Sequence, residues 1–283
     1  MTVAGAARDA TTAPVRDPST VGLGLHRGVI ELKGFFRQWD DVVFTFALPI
    51  VLLLLLGSVF DGVYEGSTVT SAQYMVPSMI AAGIASATFV NLGIGIAADR
   101  DDGTLKRLRG APVPKSAYFL GKVVMVGVIS IVAVGAIVAL GVLLFDTVLP
   151  SEPAKWLTFG WVFGLGVISC SLLGIAASSL ARTERSAGAV MNLPYIVLAF
   201  LSGIFFTPIG ALPEGLTRVG ALFPLKWMGQ GFRSVFLPDT ILPQEVVTTS
   251  WETGRTALVL GAWCIGGLVL CLTTFRWRSR RDR

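Results

Sequence analysis

The sequence predicts an all-α integral membrane protein that crosses the bilayer six times, with both termini in the cytoplasm. The 283-residue chain is 53% hydrophobic but only 14% charged, whereas a soluble domain carries roughly a quarter charged residues. Its apolar residues form runs long enough to cross about 30 Å of hydrocarbon. Lys and Arg flank these runs rather than interrupt them, which is typical of signals that orient membrane helices.

Six apolar runs are long enough to span, and none contains Asp, Glu, Lys, Arg or His. We expect a transmembrane domain over residues 42–275, with spans at about 42–60, 74–98, 123–145, 156–180, 187–206 and 256–275. Connections 99–122 and 181–186 are basic, whereas connections 61–73 and 146–155 carry almost no Lys or Arg. This alternation places both termini inside.

The long connection 207–255 is predicted to lie outside the cell although it contains basic residues, because long loops follow the charge rule poorly. Its prolines divide it into pieces too short to span, so we expect short re-entrant helices before the last span. Residues 21–41 mix apolar, aromatic and charged side chains, which indicates an amphipathic helix lying in the cytoplasmic interface. Residues 1–20 resemble a disordered tail in composition, and residues 276–283 form a basic cytoplasmic tail.

Several function classes are disfavoured. The net charge of +5 is explained by membrane orientation, and no basic face with interleaved aromatics predicts nucleic-acid binding. The three cysteines lie inside apolar runs without metal-ligand spacing, so we expect no metal site, and no catalytic residue is assigned. The nearest approach to a P-loop, residues 110–116, has proline where the second glycine is needed, so this chain is not expected to hydrolyse ATP.

The most informative polar segment directly follows the second span. Its acidic residues precede Gly103 and Thr104, and we expect Thr104 to cap a short helix that the following prolines end. Leu105 and Leu108 are three residues apart and share one face of that helix. Such a helix can transmit motion from a cytoplasmic partner, although an ordinary solvated loop is an equally open interpretation of the same residues.

This segment resembles the cytoplasmic signature of ABC type-2 permeases, including the daunorubicin and drug-resistance exporter group. The matching run is Asp101-Asp102-Gly103-Thr104-Leu105-Lys106-Arg107-Leu108-Arg109, followed by Pro112. Aspartate stands at 101 where the family more often has glutamate, which keeps the charge. A second, weaker resemblance lies at Phe223-Pro224-Leu225-Lys226-Trp227 with Gly231-Phe232-Arg233. The resemblance extends from residue 21 to about residue 275.

The resemblance implies the permease subunit of a bacterial ATP-binding cassette exporter in the plasma membrane. Such a subunit pairs with a second permease copy or a paralogue, and a separate cytoplasmic ATPase holds the ATP and Mg²⁺, so this chain needs no cofactor. Its expected role is efflux of a lipophilic or amphipathic substrate, such as a drug, an antibiotic or a lipid-like molecule, with antibiotic resistance as one outcome. The ATPase contact is implied at Asp99, Asp101, Asp102, Gly103, Thr104, Leu105, Lys106, Arg107, Leu108 and Arg109.

Polar residues inside the spans are candidates for the substrate pathway, since a lipophilic cargo needs an apolar cavity with a few polar contacts. They are Ser86, Thr88 and Asn91 in the second span and Asn192 and Ser202 in the fifth. Hydrogen bonding between helices is the alternative role for all five. Two alternatives to the exporter also stay open: an ATP-independent channel or carrier, and a membrane scaffold subunit without transport activity.

Overall fold

The computed structural model describes residues 19–60, 62–64, 66–110, 114–181, 183–205, 213–245 and 250–274, without the side chains of residues 44, 109, 115 and 244. Apart from one isolated antiparallel bridge between Val63 and Thr70, the regular structure in these ranges is helical. This confirms the all-α prediction for the described residues. The predicted tail 276–283 lies outside these ranges, as does nearly all of the predicted tail 1–20.

The helices follow one another along the chain with short connections. They are α1 (Thr20–Arg37), α2 (Trp39–Val59), α3 (Ser71–Ala85), α4 (Leu92–Asp101), α5 (Thr104–Gly110), α6 (Lys115–Phe145), α7 (Pro153–Ser178), α8 (Glu184–Leu201), α9 (Glu214–Gly220), α10 (Pro224–Phe236) and α11 (Thr253–Thr274). A π-helical turn, Ser86–Asn91, joins α3 to α4, and a 3-10 turn, Asp239–Gln244, follows α10.

Within the described ranges, five helical segments are long and apolar enough to cross a membrane: Trp39–Val59, Ser71–Asp101, Ser116–Phe145, Pro153–Ser178 and Thr253–Thr274. The remaining predicted span, residues 187–206, overlaps α8. The first turn of α8 contains Glu184 and Arg185, and Asn192 follows two turns later, so this helix is less apolar than the other five. Residues 206–212 lie outside the described ranges, and the sixth span therefore stays a prediction.

The boundary between the interfacial helix and the first span lies earlier than the sequence suggested. The first helix, predicted over 21–41, ends at Arg37, and the spanning helix begins at Trp39 rather than at residue 42. Gln38 has an extended backbone (φ −97°, ψ 93°) and separates the two helices. Asp40 and Asp41 belong to the first turn of α2, where the positive end of the helix dipole favours carboxylates.

The rod formed by α3, the π turn and α4 lies at the centre of the bundle. In its most apolar stretch of 18 residues, 78% is buried, compared with 24% in α2 and 22% in α11. Because α2 and α11 present exposed leucines, valines and isoleucines on their outer faces, their surfaces match the hydrocarbon they would contact in a bilayer. The rod therefore forms the centre of the bundle, with α2, α6, α7, α8 and α10 packed against it, while α1 packs on α6 and α11 packs on α7.

One glycine of α7 allows close contact with this rod. A Cβ built on Gly174 would lie 2.8 Å from the carbonyl oxygen of Phe89 and 2.9 Å from that of Thr88, both in the π turn. Gly164 lies ten residues earlier on the same helix, and a Cβ there would meet nothing within 4 Å. Alanine substitutions at the two positions therefore distinguish the effect of backbone contact from the effect of helix propensity within one helix.

We expect Gly174→Ala to lower the free energy of unfolding by about 1–3 kcal/mol, because the backbone of the π turn must move to admit the methyl group. Gly164→Ala should be neutral or stabilising by up to about 1 kcal/mol, because alanine favours a helix more than glycine does. Thermal or SDS-induced unfolding of the purified chain in detergent measures both. Equal stability of the two variants would contradict the close packing at Gly174.

Candidate functional site

The candidate site is built around α5, which follows α4 after a tight turn. Gly103 has φ +79°, a left-handed conformation that glycine adopts without a Cβ penalty. The carboxylate of Asp102 accepts hydrogen bonds from the backbone N–H of Thr104 at 2.8 Å and from its hydroxyl at 3.0 Å. Asp102 therefore caps the helix, and the expectation that Thr104 does so is wrong. The Thr104 hydroxyl instead accepts a hydrogen bond from Arg107 at 3.1 Å.

The two leucines of α5 share a face, and that face is directed toward the protein's own core. Leu105 is fully buried and Leu108 is half-buried, both against a cluster that includes Phe35 of α1. Lys106 and Arg107 are exposed on the other side. In this structure the leucines therefore anchor α5 to the bundle, and the surface presented outward is basic. The side chain of Arg109 lies outside what the structure describes.

The acidic residues before α5 are connected to other helices. Asp101 accepts a hydrogen bond from the backbone N–H of Glu184 at 3.2 Å, which links the α4–α5 turn to the first turn of α8. Arg100 donates to the carbonyl oxygen of Ser178 at 2.8 Å and to its hydroxyl at 3.1 Å, at the end of α7. A displacement of α5 would therefore be transmitted to α7 and α8 through hydrogen bonds as well as through packing.

Asp99 belongs to a buried ionic network that joins α1, α4 and α6. The ammonium of Lys122, only 4% exposed, lies 2.8 Å from a carboxylate oxygen of Asp99 and 2.8 Å from one of Glu31. Tyr118 donates a hydrogen bond to Asp99 at 2.8 Å, and Arg27 lies 2.7 Å from Glu31. The carboxylate of Asp99, assigned from the sequence to the ATPase contact, is thus engaged inside the chain in this structure.

The network keeps Glu31 charged at the end of the bundle that carries α5. Burial by itself would raise the pKa of Glu31, but Lys122 and Arg27 outweigh that effect and hold the pKa below its ordinary value. Sequence reasoning missed this network because Glu31 and Lys122 are 91 residues apart. The only available signal was a charged residue on each of two apolar helix faces, and such a pattern does not identify the partner.

The residues predicted for the substrate pathway are placed inside the bundle, mostly in hydrogen bonds within the chain. Thr88 donates to the carbonyl oxygen of Ile84 at 2.6 Å, Asn192 donates to that of Gly188 at 2.9 Å, and Asn91 donates to Thr45. The remaining two, Ser86 and Ser202, are buried. None of the five lines the cavities of about 310 and 220 Å³ found in the described part of the chain.

A second charged cluster lies at the opposite end of the bundle. Arg233 of α10 is fully buried, and its Nε lies 2.7 Å from a carboxylate oxygen of Glu245. The guanidinium also donates to Ser78 of α3 at 3.0 Å, and Tyr74 donates to Glu245 at 2.8 Å. The weaker of the two sequence resemblances contains Arg233 but not Glu245. The sequence therefore did not indicate that Arg233 forms a buried ion pair.

Comparison with known proteins identifies the family of the segment that contains the central rod and α5. Residues 29–237 match the family described as ABC-2 type transporter, and that segment runs from α1 through α10. The chain belongs to this ABC-2 type transporter family. It is therefore a multi-pass protein of the bacterial plasma membrane, and the family consists of membrane subunits for transport that lack the ATPase domain.

Two relatives of this ABC-2 protein have names that refer to transport. The chain is 23% identical over 205 residues to a putative transport permease, YvfS, of Bacillus subtilis, covering 72% of this chain and 82% of the relative. It is 22% identical over 169 residues to a probable multidrug ABC transporter permease, YbhR, of Escherichia coli, covering 60% of this chain and 45% of the relative. The second match thus spans less than half of that relative.

Proposed function

We propose that this chain is the permease subunit of an ATP-driven exporter, with six spans, both termini in the cytoplasm and α9 and α10 re-entrant from the outer side. A separate ATPase subunit would hold the ATP and Mg²⁺, and a second permease copy or a paralogue would complete the complex. The observation that carries the proposal is α5: a short helix directly after the central rod, anchored by Leu105, with exposed Lys106 and Arg107.

Transport would be coupled to ATP through the differential contact of α5 with the two states of the ATPase, because a ligand shifts only those states that it binds differently. Leu105 and Leu108 fix α5 to the core, so a push on the helix moves the α4 end of the rod. Arg100 and Asp101 then transmit this movement to α7 and α8. Lys106, Arg107 and Arg109 would supply the electrostatic part of the ATPase contact, together with Asp102 and the turn at Gly103.

The cargo we propose is lipophilic or amphipathic, such as a drug, an antibiotic or a lipid-like molecule, in keeping with the name of the multidrug relative. Its path would run along the rod between the subunits, with Ser86, Thr88, Asn91, Asn192 and Ser202 as the polar contacts. Two of the buried charges of the chain support an external energy source. Lys122 and Arg100 lie at the cytoplasmic ends of their helices and are already partnered, so they do not form a proton relay across the membrane.

Reversing the charge of α5 should weaken ATPase docking. We expect Arg107→Glu to lower the amount of a P-loop ATPase that copurifies with the tagged chain about tenfold, since losing one charged contact and adding repulsion costs about 1.4 kcal/mol or more. The measurement is a pull-down from native membranes in mild detergent, with stoichiometry read by mass spectrometry.

Lys33→Glu is the matched control, because Lys33 is an exposed basic residue of α1 outside α5. It should retain the ATPase at the level of the unmodified chain. If Arg107→Glu retains the ATPase as well as Lys33→Glu does, α5 is not the docking element. If even the unmodified chain brings down no ATPase, the exporter proposal itself loses its energy source.

A further inference from the structure

A small cavity of about 220 Å³ lies where α9 meets the first turns of α10 and α11. Its walls include the side chains of Glu214, Thr217, Arg218, Ala221, Lys226, Trp227, Glu252 and Arg255. Glu214 and Arg218 pair with each other at 2.6 Å and are largely exposed, so they form the mouth of the cavity. Lys226 and Trp227 are buried and form its floor, and Glu252, which is 19% exposed, lies beside them.

Lys226 is a buried cation, and no hydrogen-bonding partner for it lies among the residues that the structure describes. It is 4% exposed, and among the described residues no carboxylate oxygen lies within 4 Å of its ammonium and no acceptor receives a hydrogen bond from it. Its ammonium lies over the face of Trp227, 4.3 Å from the ring centre. Burial and the neighbouring Arg233 lower the pKa of Lys226. The first turn of a helix also disfavours a cation, because the helix dipole is positive there.

Glu252, directly before α11, has one carboxylate oxygen without a hydrogen-bond donor among the described residues. One carboxylate oxygen pairs with Arg255 at 3.1 Å, while the other is buried and accepts no hydrogen bond among the described residues. Its backbone has φ +47°, a left-handed conformation that costs a non-glycine residue of order 1 kcal/mol or more. The ammonium of Lys226, which faces the cavity, and one buried carboxylate oxygen of Glu252 thus both lack a hydrogen-bonding partner among the described residues. In native proteins such groups are usually satisfied by a bound water or a ligand.

We propose that this cavity binds a phosphoethanolamine headgroup, supplied by a phospholipid of the leaflet next to it. Its phosphate would accept hydrogen bonds from Lys226 and Arg255, in the positive field at the starts of α10 and α11. Its primary amine would donate to the unsatisfied oxygen of Glu252. A simple anion fits this cavity less well, because that buried carboxylate would repel it.

In the orientation proposed above this is the outer leaflet, and that assignment rests on the proposed function. Headgroup binding itself depends neither on the orientation nor on the ATPase. The test is native mass spectrometry of the full chain released from vesicles containing equal parts of phosphatidylethanolamine, phosphatidylglycerol and phosphatidylcholine. We expect one phosphatidylethanolamine to be retained per chain. Lys226→Gln and Arg255→Gln should each lower its retention at least about tenfold.

The controls separate binding from folding and lipid from soluble ligand. Arg255 is 61% exposed, so Arg255→Gln removes its contacts with Glu252 and the Trp227 ring without opening a buried space. Lys155→Gln changes a lysine in the first turn of α7, outside this cavity. Lys155→Gln should retain the lipid fully, and soluble O-phosphoethanolamine should displace it only at high excess. Equal retention of the three lipids, unchanged retention in both cavity variants, or displacement at stoichiometric O-phosphoethanolamine would each overturn the proposal.

Discussion

Removing either charge of the Arg233–Glu245 pair should lower the free energy of unfolding by about 3–5 kcal/mol, because it leaves an uncompensated charge buried in the protein. Arg233 is fully buried and the side chain of Glu245 is 4% exposed, so water cannot replace the missing partner. The variants Arg233→Gln and Glu245→Gln, unfolded by SDS or heat in detergent, give the two values.

The geometry of the pair explains why each charge is needed. Burial by itself would lower the pKa of Arg233, but Glu245 and Tyr74 raise it above its ordinary value, so the guanidinium stays charged. It also lies 5.3 Å from the centre of the Tyr74 ring. Together with its hydrogen bond to Ser78, these contacts tie α10 to α3 at the end of the central rod.

An exposed arginine–glutamate ion pair provides the control. Arg218 and Glu214 lie 2.6 Å apart but are 76% and 73% exposed, so Arg218→Gln should change stability by at most about 1 kcal/mol. The double variant Arg233→Met with Glu245→Leu should be more stable than either single variant, because no isolated charge remains. Single variants as stable as Arg218→Gln would contradict a buried, charged pair at this position.

The sequence predicted the features that depend on length and hydropathy alone. A helix in lipid must satisfy its own backbone groups and match the hydrocarbon thickness, so five of the six predicted spans correspond to described apolar helices. The sixth is ambiguous because Glu184 and Arg185 begin α8 itself, where a cap at Thr183 extends the helix into the polar connection.

Features that depend on tertiary contacts could not be predicted in the same way. The spacing of Leu105 and Leu108 indicated a shared face, but only the packing of α1 and α6 determines that this face is turned inward. The sequence placed Glu31 in an interfacial helix and Lys122 in a basic connection, and it did not pair them, since no local pattern links residues on different helices. Acidic residues next to a basic helix predicted a partner surface, which stays a prediction, and no local pattern indicated that Asp99 also pairs with Lys122 inside the chain.

The second large effect is expected at Lys122. Lys122→Met leaves the carboxylates of Glu31 and Asp99 facing each other in a buried site, because both lie 2.8 Å from the same ammonium. We expect a loss of about 3–5 kcal/mol in the free energy of unfolding near pH 7, accompanied by loosening of α1 from α6. Lys33→Met on the exposed face of α1 is the control and should have little effect.

The pH dependence distinguishes this cause from simple loss of packing. In the unmodified chain Lys122 and Arg27 lower the pKa of Glu31 below its ordinary value of 4.5. The stabilisation from Glu31 is therefore complete above about pH 4.5 and is lost only as the pH falls through the lowered pKa. Between about pH 7 and pH 5 the ionisation of Glu31 should not change the stability of the unmodified chain.

In Lys122→Met the pKa of Glu31 should shift in the opposite direction. Burial, the largest single influence on this pKa, is then opposed only by Arg27. The pKa of the carboxyl should rise above its ordinary value, so the folded protein takes up a proton that the unfolded chain does not hold, and stability increases as the pH falls from about 7 to about 5. Glu31→Gln combined with Lys122→Met should recover much of the loss at neutral pH. Unfolding midpoints of the variants at about pH 7 and about pH 5 test this. If Lys122→Met is no more stable at the lower pH, Lys122 acts by packing. It would then not act by balancing the two carboxylates that hold α1 and α4 against α6.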